Sequence, residues 1–174
     1  MSAEGAKSPQ PTGHPMSDRK SLEVRLILPA TSGLEVVAAE TAAALAEHAG
    51  ATEGVAGEIR LAVIEGCVNV IEHAYDDGTR ARCASCDVDL RFQLSPAEPE
   101  TGAPTRLTIQ IRDNGHGFDL GAYEEPTLEK KLHAIRKRGW GLKLMRGFMD
   151  EFQIISGRDG TKIEMTKVLV GQRE

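Results

Sequence analysis

The chain has 174 residues, 40% of them hydrophobic and 27% charged, and carries a net charge of −5 with a pI near 5.6. That length suits one domain with a substantial core, and the acidic balance argues against sequence-independent nucleic-acid binding, which needs a basic surface. No apolar run reaches membrane-spanning length and no signal-peptide pattern opens the chain, so neither a nucleic-acid nor a membrane partner is expected and the cytoplasm is the simplest location.

In chain order, residues 1–20 are rich in Ser, Pro, Gly and Lys and nearly devoid of bulky apolar side chains. They cannot bury enough surface to offset the entropy of ordering, which predicts a disordered tail before a single domain over 21–174. Leu22 to Leu28 alternates as a strand, ended by Pro29. Ser32 with Glu35 suggests a capping box opening an Ala-rich helix to about His48, with Gly50 as its stop. A second helix is expected from about Glu53 to Ala74, although Gly54, Gly57 and Gly66 each lower local propensity by up to about 1 kcal/mol. Asp76-Asp77-Gly78 marks its exit.

Val88, Leu90, Phe92 and Leu94 alternate as a second strand. A Pro/Gly/Glu loop over Ser95–Pro104 leads into a third, Leu107 to Arg112, which should pair with it antiparallel. From Phe118 to about Arg138 apolar periodicity is weak and Lys130, Lys131, Arg136, Lys137 and Arg138 accumulate. Gly139-Trp140-Gly141 then opens a short helix, and two strands close the chain around a turn at Gly157–Gly160. The outline is an α+β sandwich, one sheet with helices on one face.

The three cysteines are Cys67, Cys83 and Cys86. A closed zinc site needs four ligands, and no second C-x-x-C or H-x₃₋₅-H accompanies Cys83–Cys86. The pair precedes a strand rather than opening a helix, so ordinary thiols are the expected reading.

Three stretches carry chemistry. Glu65 and Asn69, four residues apart, share one face of a largely apolar helix, and polar groups placed there need partners. An Asn oxygen suits Mg²⁺, and a carboxylate one turn away could orient or deprotonate a nucleophile; an internal polar network against the sheet explains the same pair. His73, a further turn along, could line the same site or simply finish the helix. Asp113-Asn114-Gly115-His116-Gly117 ends a strand with a carboxylate able to read a donor such as a base amine, and its glycines let backbone approach a flat ligand; alone it is equally a tight loop. Gly139-Trp140-Gly141 before a helix offers free N–H groups to an anion, and the preceding basic cluster could close over polyphosphate or be a solvated run.

Taken in order, these stretches resemble the ATP-binding domain shared by gyrase, Hsp90, histidine kinases and MutL, the GHKL superfamily. More narrowly they resemble the anti-sigma-factor serine kinases of the RsbW and SpoIIAB type. The resemblance rests on Glu58 to Asn69 with Glu72-His73-Ala74-Tyr75, on Asp113 to Phe118 and on Arg138 to Phe152, especially Phe148-Met149-Asp150-Glu151, and it covers roughly residues 22–170. It implies a Bergerat-type two-layer α/β sandwich with a mixed, mostly antiparallel sheet. It implies ATP and Mg²⁺ as cofactors, Asn69 as the metal ligand and Glu65 as the general base for a serine hydroxyl. Asp113 would hold the adenine amine with Gly117 and Thr161 nearby, and Gly139, Gly141 and Leu142 would meet the phosphates. The implied binding set also takes in His73, Gly115, Phe118, Lys137, Arg138 and Trp140.

The function so implied is a protein-serine kinase and anti-sigma regulator that phosphorylates a small STAS-type antagonist in partner switching, with a sigma factor and a second copy of the chain as further partners. A non-catalytic, ATP-dependent partner-binding module is the alternative. Cys83 and Cys86, the Ser95–Pro104 insertion, Trp140 and Gly66 depart from the family pattern.

Overall fold

A computed structural model describes residues 21–74, 86–98, 100–115, 117, 141–157 and 159–169, with the side chain of His73 outside that set. The elements are β1 (Leu22–Pro29), α1 (Glu35–His48), α2 (Glu53–His73), β2 (Asp87–Ser95), β3 (Thr105–Arg112), α3 (Gly141–Phe148), β4 (Glu151–Gly157) and β5 (Gly160–Leu169). The strands form one sheet in the order β1-β2-β3-β5-β4. Every pairing among the described strands is antiparallel, so the mostly antiparallel sheet expected from the resemblance has no parallel pair in this set.

Strand alternation decides which face is covered. Val88, Leu90, Phe92 and Leu94 of β2 and Leu107, Ile109 and Ile111 of β3 are buried on one side. Ile163 and Met165 of β5 join them, with Val24, Leu26 and Leu28 of β1 and Phe152 and Ile154 of β4 packed against the same core. All three described helices lie over this face. The opposite face is mostly polar, with Ile27 and Ile155 exposed on it, and is tied by Arg25 to Asp89 through two contacts of 2.8 Å, by Gln110 to Glu164 at 3.0 Å and by the paired hydroxyls of Thr108 and Thr166 at 3.2 Å. The predicted pairing of β2 with β3 is observed, with Phe92 opposite Ile109.

α1 approaches its neighbours closely because its buried side is almost entirely alanine: Ala38, Ala39, Ala42, Ala43 and Ala46. It begins later than the sequence suggests. The Ser32–Glu35 capping box does not form: Leu34 is the N-cap and no side chain caps it. The physical reason is the turn before it, where Gly33 adopts φ +99° and presents its own N–H to the Glu35 carboxylate at 2.7 Å. On α2 the cap is Thr52, whose hydroxyl accepts the Val55 N–H at 3.4 Å. No described helix is long and apolar enough to cross a membrane.

Gly66 has a packing reason that helix propensity hides. A Cβ there would lie 2.6 Å from Cδ1 of Ile111 and 3.5 Å from Sδ of Met145, both fully buried. α2 therefore rests at this point directly on the Ile111 and Met145 side chains, with no side chain of its own between. Cys67 beside it is buried, which pushes its thiol up to about 12, with a smaller push from the Glu35 charge. A thiol so placed stays protonated and inert at neutral pH. Cys86 stands at the entry to β2, while Cys83 lies outside the described residues, as do the 1–20 tail, the Asp76–Gly78 exit and the basic segment over 118–138.

Gly66→Ala should lower the unfolding free energy by roughly 1–3 kcal/mol, the usual cost of overpacking, despite the helix-propensity gain. Combining it with Ile111→Val removes the atom in conflict. The double variant should then be more stable than the sum of the single changes by at least about 0.5 kcal/mol. Urea denaturation of the four proteins measures this, and simple additivity would show that the close approach is relieved elsewhere.

Candidate functional site

Two polar clusters sit along the C-terminal half of α2. At the first, Glu65 and Asn69 project toward the start of α3. A Cβ on Gly141 would lie 2.8 Å from Oε2 of Glu65 and 3.0 Å from Nδ2 of Asn69, so only glycine lets the helix begin there. The first amides of an α-helix lack intrahelical acceptors, and here they arrive beside a carboxylate and an amide. Nδ2 of Asn69 is buried and has no hydrogen-bond partner among the described residues. An unmet buried donor costs on the order of 1–3 kcal/mol, which marks a group awaiting a partner. Rotation of the amide by half a turn presents Oδ1 at the same point.

Burial raises the Glu65 carboxyl above its ordinary 4.5, and the Glu72 charge adds to the shift. The sign matters for stability. A carboxyl with a raised folded-state pKa contributes stability that is fully present below 4.5 and is lost as pH rises through the folded-state value. At neutral pH the ionised Glu65 is therefore tolerated by the fold rather than supported by it.

At the second cluster Asp113, only 1% exposed, follows β3. Its Oδ1 accepts the Gly115 N–H at 2.7 Å and its Oδ2 the Thr161 N–H at 3.1 Å, while its own N–H donates to Thr161 O at 3.0 Å. A carboxylate oxygen can accept from more than one donor. Thr161 is buried as well, its hydroxyl 2.9 Å from that of Ser156. The surrounding wall is backbone. A Cβ on Gly115 would collide with the Ala74 carbonyl, one on Gly117 with Gly157, and one on Gly160 with the Asp113 carbonyl; Gly117 and Gly160 also have φ of +65° and +106°. The Gly115 contact seats the Asp113 loop on the end of α2, five residues and roughly 7 Å of helix beyond Asn69.

The structure thus brings Glu65, Asn69 and Gly141 together, and Asp113, Gly115, Gly117 and Thr161 together, with α2 as the shared rail. Leu142 turns its side chain into the core, leaving only its backbone toward the site. His73 ends α2, and Phe118, Lys137, Arg138, Gly139 and Trp140 lie outside the described residues. Ala74, Ser156 and Gly157 were not read as site residues from sequence. Only the Gly157–Gly160 turn signal pointed near them, and nothing local could show that the turn meets the Asp113 loop.

A metal fits these residues in one way. Among the described residues no group of three or more His, Cys, Asp or Glu could hold an ion. Asn69 could supply one oxygen, and the remaining ligands would be phosphates and water, which is how Mg²⁺ is commonly held at nucleotide sites.

Residues 28–167 match the family described as the histidine kinase-like ATPase domain. The chain belongs to that family. A serine-protein kinase RsbW of Halalkalibacterium halodurans is 29% identical over 150 residues, covering 84% of this chain and 83% of the relative. The RsbW of Bacillus velezensis is 30% identical over 140 residues, covering 76% and 77%. The solved RsbU and RsbW domains of a Mycobacterium tuberculosis protein superpose with a TM-score of 0.57 at 18% identity, over 85% of this chain and 32% of that one, a likeness of fold. Within the histidine kinase-like ATPase family, the chain is thus similar to serine-protein kinases of the RsbW type.

Asp113→Ala would leave two buried N–H groups without acceptors and should cost about 2–5 kcal/mol in chemical denaturation, whereas Asp113→Asn, which keeps one acceptor, should cost less. An Ala variant as stable as the parent would mean that the carboxylate has no structural share in the loop.

Proposed function

We propose that this domain, spanning 21–174 behind a tail over 1–20, is an ATP- and Mg²⁺-dependent protein-serine kinase that regulates a sigma factor by phosphorylating a small STAS-type antagonist. The observation that carries the reading is the convergence of Glu65, Asn69 and the glycine start of α3, with Asp113 and Thr161 one helical stretch away. The names of the RsbW relatives, serine-protein kinases, support the same class of activity. A second copy of the chain is a further expected partner.

In this reading Asp113 accepts from the adenine amine while the Gly115, Gly117 and Gly160 backbone admits the base edge. Thr161 lines that end. Asn69 offers its amide oxygen to the metal, and the α3 amides from Gly141 and Leu142 face the phosphates. The further binding set of His73, Phe118, Lys137, Arg138, Gly139 and Trp140 belongs to the same proposal. Mg²⁺, when bound, would neutralise phosphate charge. Glu65 accepts the proton of the incoming serine hydroxyl as its oxygen bonds to the terminal phosphorus and the bond to ADP breaks. A raised pKa suits that role, because a base poised nearer neutrality takes a proton more readily.

Incubation with Mg²⁺–ATP and an antagonist protein from the same genome should yield phosphoserine on the antagonist, detected by mass spectrometry. A complex that forms without phosphoserine would leave a binding module instead. Glu65→Gln should slow transfer by about 10²–10⁴-fold with ATP affinity nearly intact. Because the ionised Glu65 is unsupported at neutral pH, the same variant should be at least as stable as the parent there. The parent's rate should fall on acidification along a limb centred above 4.5; a limb at or below that value would remove Glu65 from the role.

A further inference from the structure

Glu58, Glu65 and Asn69 lie seven and four residues apart on α2, so the three side chains stand on one line along the helix. α3 runs along that line. Its first residue, Gly141, meets Glu65 and Asn69, and its last, Phe148, lies at the Glu58 end. The link at that end is Lys167 of β5. Its ammonium donates to Oε2 of Glu58 at 2.9 Å and to the carbonyl of Phe148 at 2.5 Å, and its side chain is only 15% exposed. From Glu58 to Glu65 and from Gly141 to Phe148 the helices advance by equal amounts, roughly 10 Å each. Pinning Phe148 against Glu58 therefore sets where Gly141 falls beside Glu65 and Asn69.

We infer that Lys167 is a positioning residue that fixes the register of α3 along α2 and, through it, the placement of the α3 amides at the phosphate end of the site. The inference rests on the nucleotide reading above. Three features single this lysine out. It bridges the two helices from the strand beneath them, so it opposes sliding as well as separation. It meets a C-terminal carbonyl of α3, where a cation also complements the helix dipole. Leu142 and the fully buried Met145 hold α3 by apolar packing and Arg146 lies 5.5 Å over the Phe152 ring, and such contacts restrain sliding less than a charge-assisted bond. The adenine end, held by backbone of β3 and β5, does not depend on α3.

The experiment compares the full chain with Lys167→Met and Lys167→Arg. Amide hydrogen exchange without nucleotide should rise across 141–148 in Lys167→Met while α1 is unchanged, and Lys167→Arg, which keeps a donor and a charge, should restore much of the protection. Calorimetric titration should show Mg²⁺–ATP binding weakened by roughly tenfold in Lys167→Met, with most of the affinity recovered in Lys167→Arg. Unchanged exchange over 141–148 would overturn the register pin. Raised exchange with unchanged ATP affinity would leave a structural tie and overturn the positioning role. A parent protein that binds no ATP would instead sink the nucleotide reading and the positioning role with it, while exchange would still decide whether Lys167 holds α3.

Discussion

The close approach of α2 to the sheet at Gly66, over Ile111 and beside Met145, is the constraint on which the rest of the site depends. With no side chain at that point, the helix sinks far enough for Glu65 and Asn69 to meet the first residue of α3. The same seating brings its end, at Ala74, against Gly115, which anchors the loop carrying Asp113. Lateral placement comes from α1, whose alanine face lets two helices share one side of a five-stranded sheet. Small residues thus do the positioning here, because each permits a contact between backbones or helix axes that any larger side chain would hold open.

The polar groups of the site divide by how the fold treats them. Asp113 is held by two backbone N–H groups and by the strand pairing around Thr161, so its carboxylate is a structural acceptor of the loop. Glu65 and Asn69 receive much less. The Glu65 carboxyl is disfavoured in its charged form by burial, and the Asn69 amide nitrogen has no described partner. Groups that the fold leaves short of partners are where a ligand can supply them, and the two clusters sit at opposite ends of one stretch of helix. Rigidity around Asp113 and unmet polarity at Glu65 and Asn69 fit a site that is partly preformed.

Much of this was legible along the chain. Alternation located the first three strands, because a half-buried strand writes its face into every second residue, the Gly157–Gly160 turn pointed to the closing pair, and the E-x-x-x-N and D-x-G-x-G stretches marked both clusters. The start of α1 was misplaced because a turn with Gly33 at positive φ captures Glu35, an outcome set by backbone geometry rather than by residue type alone. Gly66 read as a weak point of its helix, and only packing shows that it is a contact. Lys167 sits in a strand where alternation would make any residue look ordinary, and its partners lie 109 and 19 residues away.

By itself, then, the sequence determined the elements, the family resemblance and the residue types at each end of the site, since these follow from local periodicity and short motifs. Tertiary structure alone decided that α2 is the rail joining the two clusters, that four glycines build a wall of backbone around Asp113, and that a lysine from β5 ties α3 to α2. Those features depend on distances between segments far apart in the chain, and such distances are fixed only when the core closes.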